Sequence, residues 1–265
     1  MQTSNLPRIS PRYWAAITLA SIFGANLGDF VSHVLHLGHY RGLPPLAVAF
    51  GLILLAERRL KLRTEAYYWL AIVTLRTAAT NLGDLATHDF KLAYPAVLFG
   101  LAVLLVGLLA VESRLPLRAG NPPAAPASGG LPATNGVYWV AMLVAGTLGT
   151  AAGDYIADEL GFGLVYGSLA ECLVLAAMLS LRGIPGWLSK QSYWLTIVCV
   201  RTAGTTVGDF LASRHGAGLG LEASTVFTGI LWIALLVLWR RPDGRRSDAG
   251  RTVPTAPPVA EQESV

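Results

Sequence analysis

The sequence predicts an all-α, polytopic membrane protein: eight transmembrane helices in four two-helix repeats of one orientation, arranged as a duplicated pair. Three observations predict it. Of 265 residues, 53% are hydrophobic and only 14% charged, against roughly a quarter charged in an ordinary soluble domain. Apolar stretches at 43–56, 93–111, 164–181 and 226–239 alternate with more polar stretches of helical length, and a bilayer core takes about 20 residues of helix. Finally, a Tyr-Trp pair recurs at Tyr13-Trp14, Tyr68-Trp69, Tyr138-Trp139 and Tyr193-Trp194, and fifteen residues after each Trp stands an aspartate: Asp29, Asp84, Asp154 and Asp209.

The elements follow from that spacing. Residues 1–12 form a charged N-terminal segment; they are not read as part of a secretory signal, because the apolar run beginning at Tyr13 returns three more times. The Trp-to-Trp steps are 55, 70 and 55 residues, so repeats 1 and 3, and repeats 2 and 4, are related by an offset of 125. One membrane half covers 13–117 (repeats 13–63 and 64–117) and the other 136–241 (repeats 136–190 and 191–241). Between them, 118–135 is rich in Ala, Pro and Gly and reads as a linker; 242–265 has no apolar period and reads as a disordered tail. The two cysteines, Cys172 and Cys199, fall inside predicted spans, which excludes a disulfide framework or a cysteine-rich zinc site.

Charge sets the orientation. The loops on the Tyr-Trp side, with both termini, carry fifteen Lys and Arg, whereas the alternate loops hold only Arg41, Lys91 and Arg214. By the positive-inside tendency both termini are expected in the cytoplasm, with the chain as a multi-pass protein of the plasma membrane. The net charge of +4 is thereby spent on topology, and no nucleic-acid partner is expected. Trp14, Trp69, Trp139 and Trp194 are expected as anchors at the cytoplasmic interface, where amphipathic rings settle.

A rise of about 1.5 Å per residue puts each aspartate roughly 22 Å beyond its Trp, inside the hydrocarbon. A carboxylate there costs about 2.5–3.5 kcal/mol on insertion scales, so all four are expected to face the bundle interior as ion-binding or proton-relay groups. Gly24 and Gly28, Ala79 and Gly83, Gly149 and Gly153, and Gly204 and Gly208 form small-x-x-x-small steps that end just before each Asp and let helices approach closely. Counting back along one helical face gives a polar stripe that includes Asn26, Asn81, Thr80, Thr150, Thr205 and Thr206. The odd-numbered helices should thus form an inner layer, and the even-numbered ones face lipid, apart from Glu171.

One turn beyond the Asp stand His33, His88 and Asp158, a spacing at which Asp and His can share a divalent cation; the alternative is that they are solvated helix ends. No cofactor is implied beyond that divalent metal ion. Arg76 and Arg201, two turns before Asp84 and Asp209, are read either as buried ion-pair partners of the carboxylates or as a gate in the pathway.

The segment Thr202-Ala-Gly-Thr-Thr-Val-Gly-Asp-Phe after Tyr193-Trp194, and Gly149-Thr-Ala-Ala-Gly-Asp-Tyr continuing to Leu160-Gly-Phe-Gly, resemble the signatures of a family of bacterial membrane proteins with four tandem two-helix repeats of unknown function. The resemblance spans Tyr13 to Arg240; repeats 1 and 2 depart from it in Asn26, Asn81, His33 and His88. It implies an integral membrane protein and supplies no reaction or substrate. From the residues, the expected function is a transporter or channel-like protein for a small cation, without enzymatic activity. The alternatives are a membrane enzyme with an Asp/His metal site and a non-transporting scaffold. Lipid is the certain partner.

Overall fold

A computed structural model describes residues 7–60, 64–114, 132, 134–182 and 189–239. The tail at 242–265 and most of the 118–135 linker lie outside the described residues, as does the order or disorder expected of them. The regular structure described is helical throughout: α1 Pro11–Asp29, α2 Gly38–Leu60, α3 Ala66–Asp84, α4 Tyr94–Arg114, α5 Gly136–Asp154, α6 Gly163–Leu181, α7 Lys190–Ala212 and α8 Leu221–Leu238.

The inner helices begin at sequence-encoded caps. Ser10 accepts from the Tyr13 amide with Pro11 in the first turn, Asn135 accepts from the Tyr138 amide, and Ser189 forms a capping box with Ser192. At the other end, α1, α3 and α5 stop at their aspartates and pass into single π-helical turns at Phe30–Val34, Leu85–Asp89 and Tyr155–Glu159. The chain then reverses through matching left-handed residues, His36, Lys91 and Gly161. The fourth inner helix runs on to Ala212 and breaks at extended Ser213.

Helices α1, α3, α5 and α7 form a closed ring in which each touches the next and α7 returns to α1. Every outer helix crosses over to the following repeat: α2 packs on α3, α4 on α5, α6 on α7 and α8 on α1. The glycine steps make the ring tight, as expected. A Cβ on Gly24 or Gly28 would meet Arg76 Cγ or Thr80 Cβ of α3 at 2.6 and 2.7 Å, and one on Gly83 would meet Thr150 Cγ2 of α5 at 2.8 Å. Gly149 and Gly153 abut Arg201 and Thr205 of α7, while Gly204 and Gly208 abut Ser21 and Asn26 of α1. Each seam therefore uses the same pattern in the same direction.

Burial separates the layers. Within the apolar windows, 67% of the α5 stretch is buried against 6% of the α4 stretch, and outer side chains such as Val48, Phe99, Leu173 and Val226 are exposed. Among the described residues, six helical stretches are long and apolar enough to cross a membrane: Pro11–Val34, Tyr94–Arg114, Gly136–Glu159, Gly163–Leu181, Lys190–Ala212 and Leu221–Leu238. An apolar perimeter of that length fits a multi-pass membrane protein.

The tryptophans are 2–6% exposed and their adjoining tyrosines 0–1%, so both pack within the bundle. The reason is ring closure. Trp69, Trp139, Trp194 and Trp14 lie 5.6–5.9 Å from Tyr13, Tyr68, Tyr138 and Tyr193 of the preceding repeat, which forms an aromatic collar around the axis. Charged contacts ring this end: Arg12 to Glu65 at 3.1 Å, Lys190 to Glu112 at 2.8 Å, and Arg182 over the Trp14 ring at 3.9 Å.

Candidate functional site

Four-fold ring closure brings equivalent residues together in layers along one axis, starting at the aromatic collar. The hydroxyls of Tyr13, Tyr68, Tyr138 and Tyr193 form a closed hydrogen-bonded square with sides of 3.0, 2.8, 3.1 and 2.8 Å. One turn onward is an apolar layer, Ile17, Ile72, Met142 and Ile197, all 0–1% exposed. Tyrosine is amphipathic, and in sequence it reads as an interface residue. In the ring its polar tip points inward because two neighbouring hydroxyls complete its hydrogen bonding.

The next layer holds Ser21, Arg76, Gly146 and Arg201, each eight residues before its aspartate. Two arginines fit because the residues between them are small. The Arg76 guanidinium cross-links the whole ring. Its Nε donates to Ser21 Oγ at 3.2 Å and Ser21 O at 3.3 Å. Nη1 donates to Thr150 Oγ1 at 2.7 Å and Gly146 O at 3.3 Å, and Nη2 to Thr205 Oγ1 at 2.6 Å and Arg201 O at 3.3 Å. One planar fork thus ties α3 to α1, α5 and α7. Neither arginine forms an ion pair with an aspartate among the described residues, contrary to one reading of the sequence. The carboxylates lie two turns away, and hydroxyls and carbonyls take the Arg76 donors first.

Above Arg76 lies a cavity of about 540 Å³ lined by Asp29, Asp84, Asp154 and Asp209, with Thr80, Thr150 and Thr205 below them. All four aspartates share this single cavity, so the two halves do not build separate sites. His33, His88 and Asp158 line it too, on the side where they are exposed, which places the mouth at the short-loop end. His88 Nδ1 and His39 Nε2 flank Asp84 at 3.8 Å each, and His39 Nδ1 approaches both Asp89 oxygens at 3.1 Å. The His33 and His39 rings meet edge-on at 5.4 Å. Among the described residues no three His, Cys, Asp or Glu side chains are grouped so as to hold a metal ion; His33, His88 and Asp158 share the mouth without forming such a group.

Sequence reasoning missed His39. It sits at the start of an outer helix, one repeat before Tyr94, whose hydroxyl lies 3.4 Å from His88 Nε2. Its helix packs on the next repeat, which carries it to Asp84; the matching residues of repeats 3 and 4 are Leu164 and Leu219, so no repeated residue type marks the position in sequence.

The expected polar stripe splits in two. Positions four residues before each Asp (Ala25, Thr80, Thr150, Thr205) line the cavity. Of the positions three before it, Asn81 and Thr206 turn toward the outer helices, because adjacent residues point about 100° apart on a helix. Asn26 and Asn81 are fully buried, with Gly42 of α2 against the Asn81 amide, Gly208 of the inner helix α7 against the Asn26 side-chain amide, and Thr225 of α8 bonded to the Asn26 backbone carbonyl. Thr206 Oγ1 donates to Glu171 Oε2 at 2.7 Å, and Ser168 Oγ donates to Thr206 O at 2.9 Å. Asn81, Thr206 and Glu171 therefore pack between the layers and Asn26 between α1 and α7, and none of the four lines the cavity.

The family model described as Repeat of Unknown Function (DUF347) matches residues 12–62, 137–182 and 192–245. The chain belongs to this family. The three DUF347 matches are repeats 1, 3 and 4, so Asn26 and His33 do not take repeat 1 outside the pattern. Residues 64–114 are not matched, yet α3 and α4 build the same unit with Trp69 and Asp84 in register. No curated protein and no solved structure matched the chain.

Proposed function

We propose that this DUF347 protein is a membrane transporter or channel-like protein that takes small cations or protons through the axial cavity of its inner helix ring. One observation carries the reading: four aspartates, one from each repeat, line a single cavity of about 540 Å³ at the mouth end of the bundle. Rings of acidic side chains select cations, and ionisable groups at membrane depth are kept for function more often than for stability. The four acids outnumber the two axial arginines, and Arg76 spends its donors on hydroxyls and carbonyls. The cavity thus holds negative charge for a cation or protons to neutralise.

In this reading all eight helices span the bilayer. Helices α2 and α3 occupy the same places in the ring as α6 and α7, and α3 keeps Arg76 and Asp84 away from lipid inside the bundle. Both termini lie on the cytoplasmic side of a bacterial plasma membrane, so the cavity faces outward. Arg76, Arg201 and the tyrosine square close its inner end, as expected of one state of an alternating-access cycle. Divalent metal enters as cargo and not as a resident cofactor.

The test is flux in vesicles reconstituted with the full-length protein, using protons, Mn, Zn and Ni as separate probes. Flux of at least one of them, lost when all four aspartates become asparagine, supports the proposal. No flux of any probe, with unchanged growth of cells that carry the fourfold variant, ends it.

A further inference from the structure

We propose that Arg201 and the tyrosine square form a binding site for a small halide-sized anion, separate from the aspartate cavity. Arg201 is 1% exposed, yet its Nε and Nη1 have no hydrogen-bond partner among the described residues. Its Nη2 reaches only the Met142 sulfur, a weak acceptor, at 4.0 Å. A buried charge without a partner is among the most costly arrangements a protein interior can hold, whereas Arg76, in the same layer, satisfies every donor.

The difference between the two arginines is written in the repeats. The acceptors of Arg76 are the hydroxyls of Ser21, Thr150 and Thr205; the offset of 125 turns these into Gly146, Ala25 and Thr80 around Arg201. Two of the three hydroxyls are missing, so Arg201 turns the other way, toward Met142 in the layer next to the collar.

The chemistry there selects the ligand. Ile17, Ile72, Met142 and Ile197 give apolar walls, and two guanidinium N–H groups stand on one side of them. On the other, each phenol of the square can rotate its O–H away from its neighbour toward an incoming acceptor. Positive charge, few donors and apolar walls suit a weakly hydrated monovalent anion. Phosphate or sulfate would need more donors, and a water molecule would leave the charge uncompensated.

The experiment compares thermal unfolding of the purified full-length protein in sodium chloride, sodium bromide and sodium gluconate at equal ionic strength, together with bromide-soaked crystals read by anomalous scattering. The expected result is a saturable rise with either halide over gluconate of roughly 3–6 °C at ten times the half-saturating concentration. Arg201→Met abolishes this rise, and bromide density lies within hydrogen-bond distance of Arg201 Nε or Nη1. If Arg201→Met does not fold, the bromide density in the unaltered protein decides alone. Equal unfolding in chloride and gluconate, or density at Arg201 that scatters as water, overturns the proposal. The fourfold aspartate-to-asparagine variant should keep the halide effect, which separates this site from the cation reading.

Discussion

Replacing Gly204 by alanine adds one methyl at the seam where the fourth repeat closes onto the first. That methyl would sit against Ser21 Oγ, 2.6 Å from Ser21 Cβ and 3.0 Å from the Ser21 carbonyl carbon. Carbon atoms rest about 3.5–4.0 Å apart, so α7 must move from α1 by about 1 Å, and the backbone atom cannot yield as a side-chain tip would. Overpacking of this kind costs roughly 1–3 kcal/mol, or about 2–12 °C in the unfolding midpoint of a chain this size. Gly100, on the outer face of α4, has nothing within 4 Å of its added Cβ; alanine there should be neutral or stabilising by up to about 1 kcal/mol through helix propensity. The seven tryptophans provide the signal for intrinsic-fluorescence unfolding in detergent. A Gly204→Ala protein as stable as the original, or a Gly100→Ala protein that is the less stable of the two, would refute the closed ring of seams.

Other substitutions probe the axis. Arg76→Lys keeps the charge but replaces a fork that reaches three helices with a point donor, so unfolding should fall by at least roughly 2 kcal/mol; unchanged stability would mean the cross-links carry no weight. Tyr68→Phe removes the hydroxyl that bonds both Tyr13 and Tyr138 and should cost roughly 1–3 kcal/mol, while Tyr67→Phe, outside the square, should cost nothing measurable in the same melt. Glu171→Gln retains an acceptor for Thr206 and lies off the axis, so cation flux should be unaltered; a fall in flux would place Glu171 in the pathway after all.

Period and spacing made much of this architecture legible. The constant Trp-to-Asp distance sets the four aspartates at one depth, and the glycine steps name the helices that pack most closely. The apolar runs without polar stripes name the outer layer. What stayed hidden depends on ring closure, which sequence spacing cannot express. Tyr13 reads as an interface residue until Tyr68 and Tyr193 are seen to satisfy its hydroxyl. Arg76 reads as a partner for carboxylates until its acceptors prove to be Ser21, Thr150 and Thr205 from three different helices. Thr205 and Thr206 read as one polar face, yet adjacent register positions diverge enough to send Thr206 toward Glu171 of an outer helix and Thr205 into the cavity. His39 escaped notice because its outer helix crosses to the next repeat, so the carboxylates it approaches belong to α3 and its π-turn and lie 45 and 50 residues away.

Under the proposed function, the shared axial cavity makes the four acids members of one site. Flux measured for Asp29→Asn, Asp84→Asn, Asp154→Asn and Asp209→Asn one at a time, in vesicles holding equal amounts of folded protein, tests this directly. The account predicts that every single substitution depresses flux of the same cation. Retention of full flux by both substitutions in either half would contradict it.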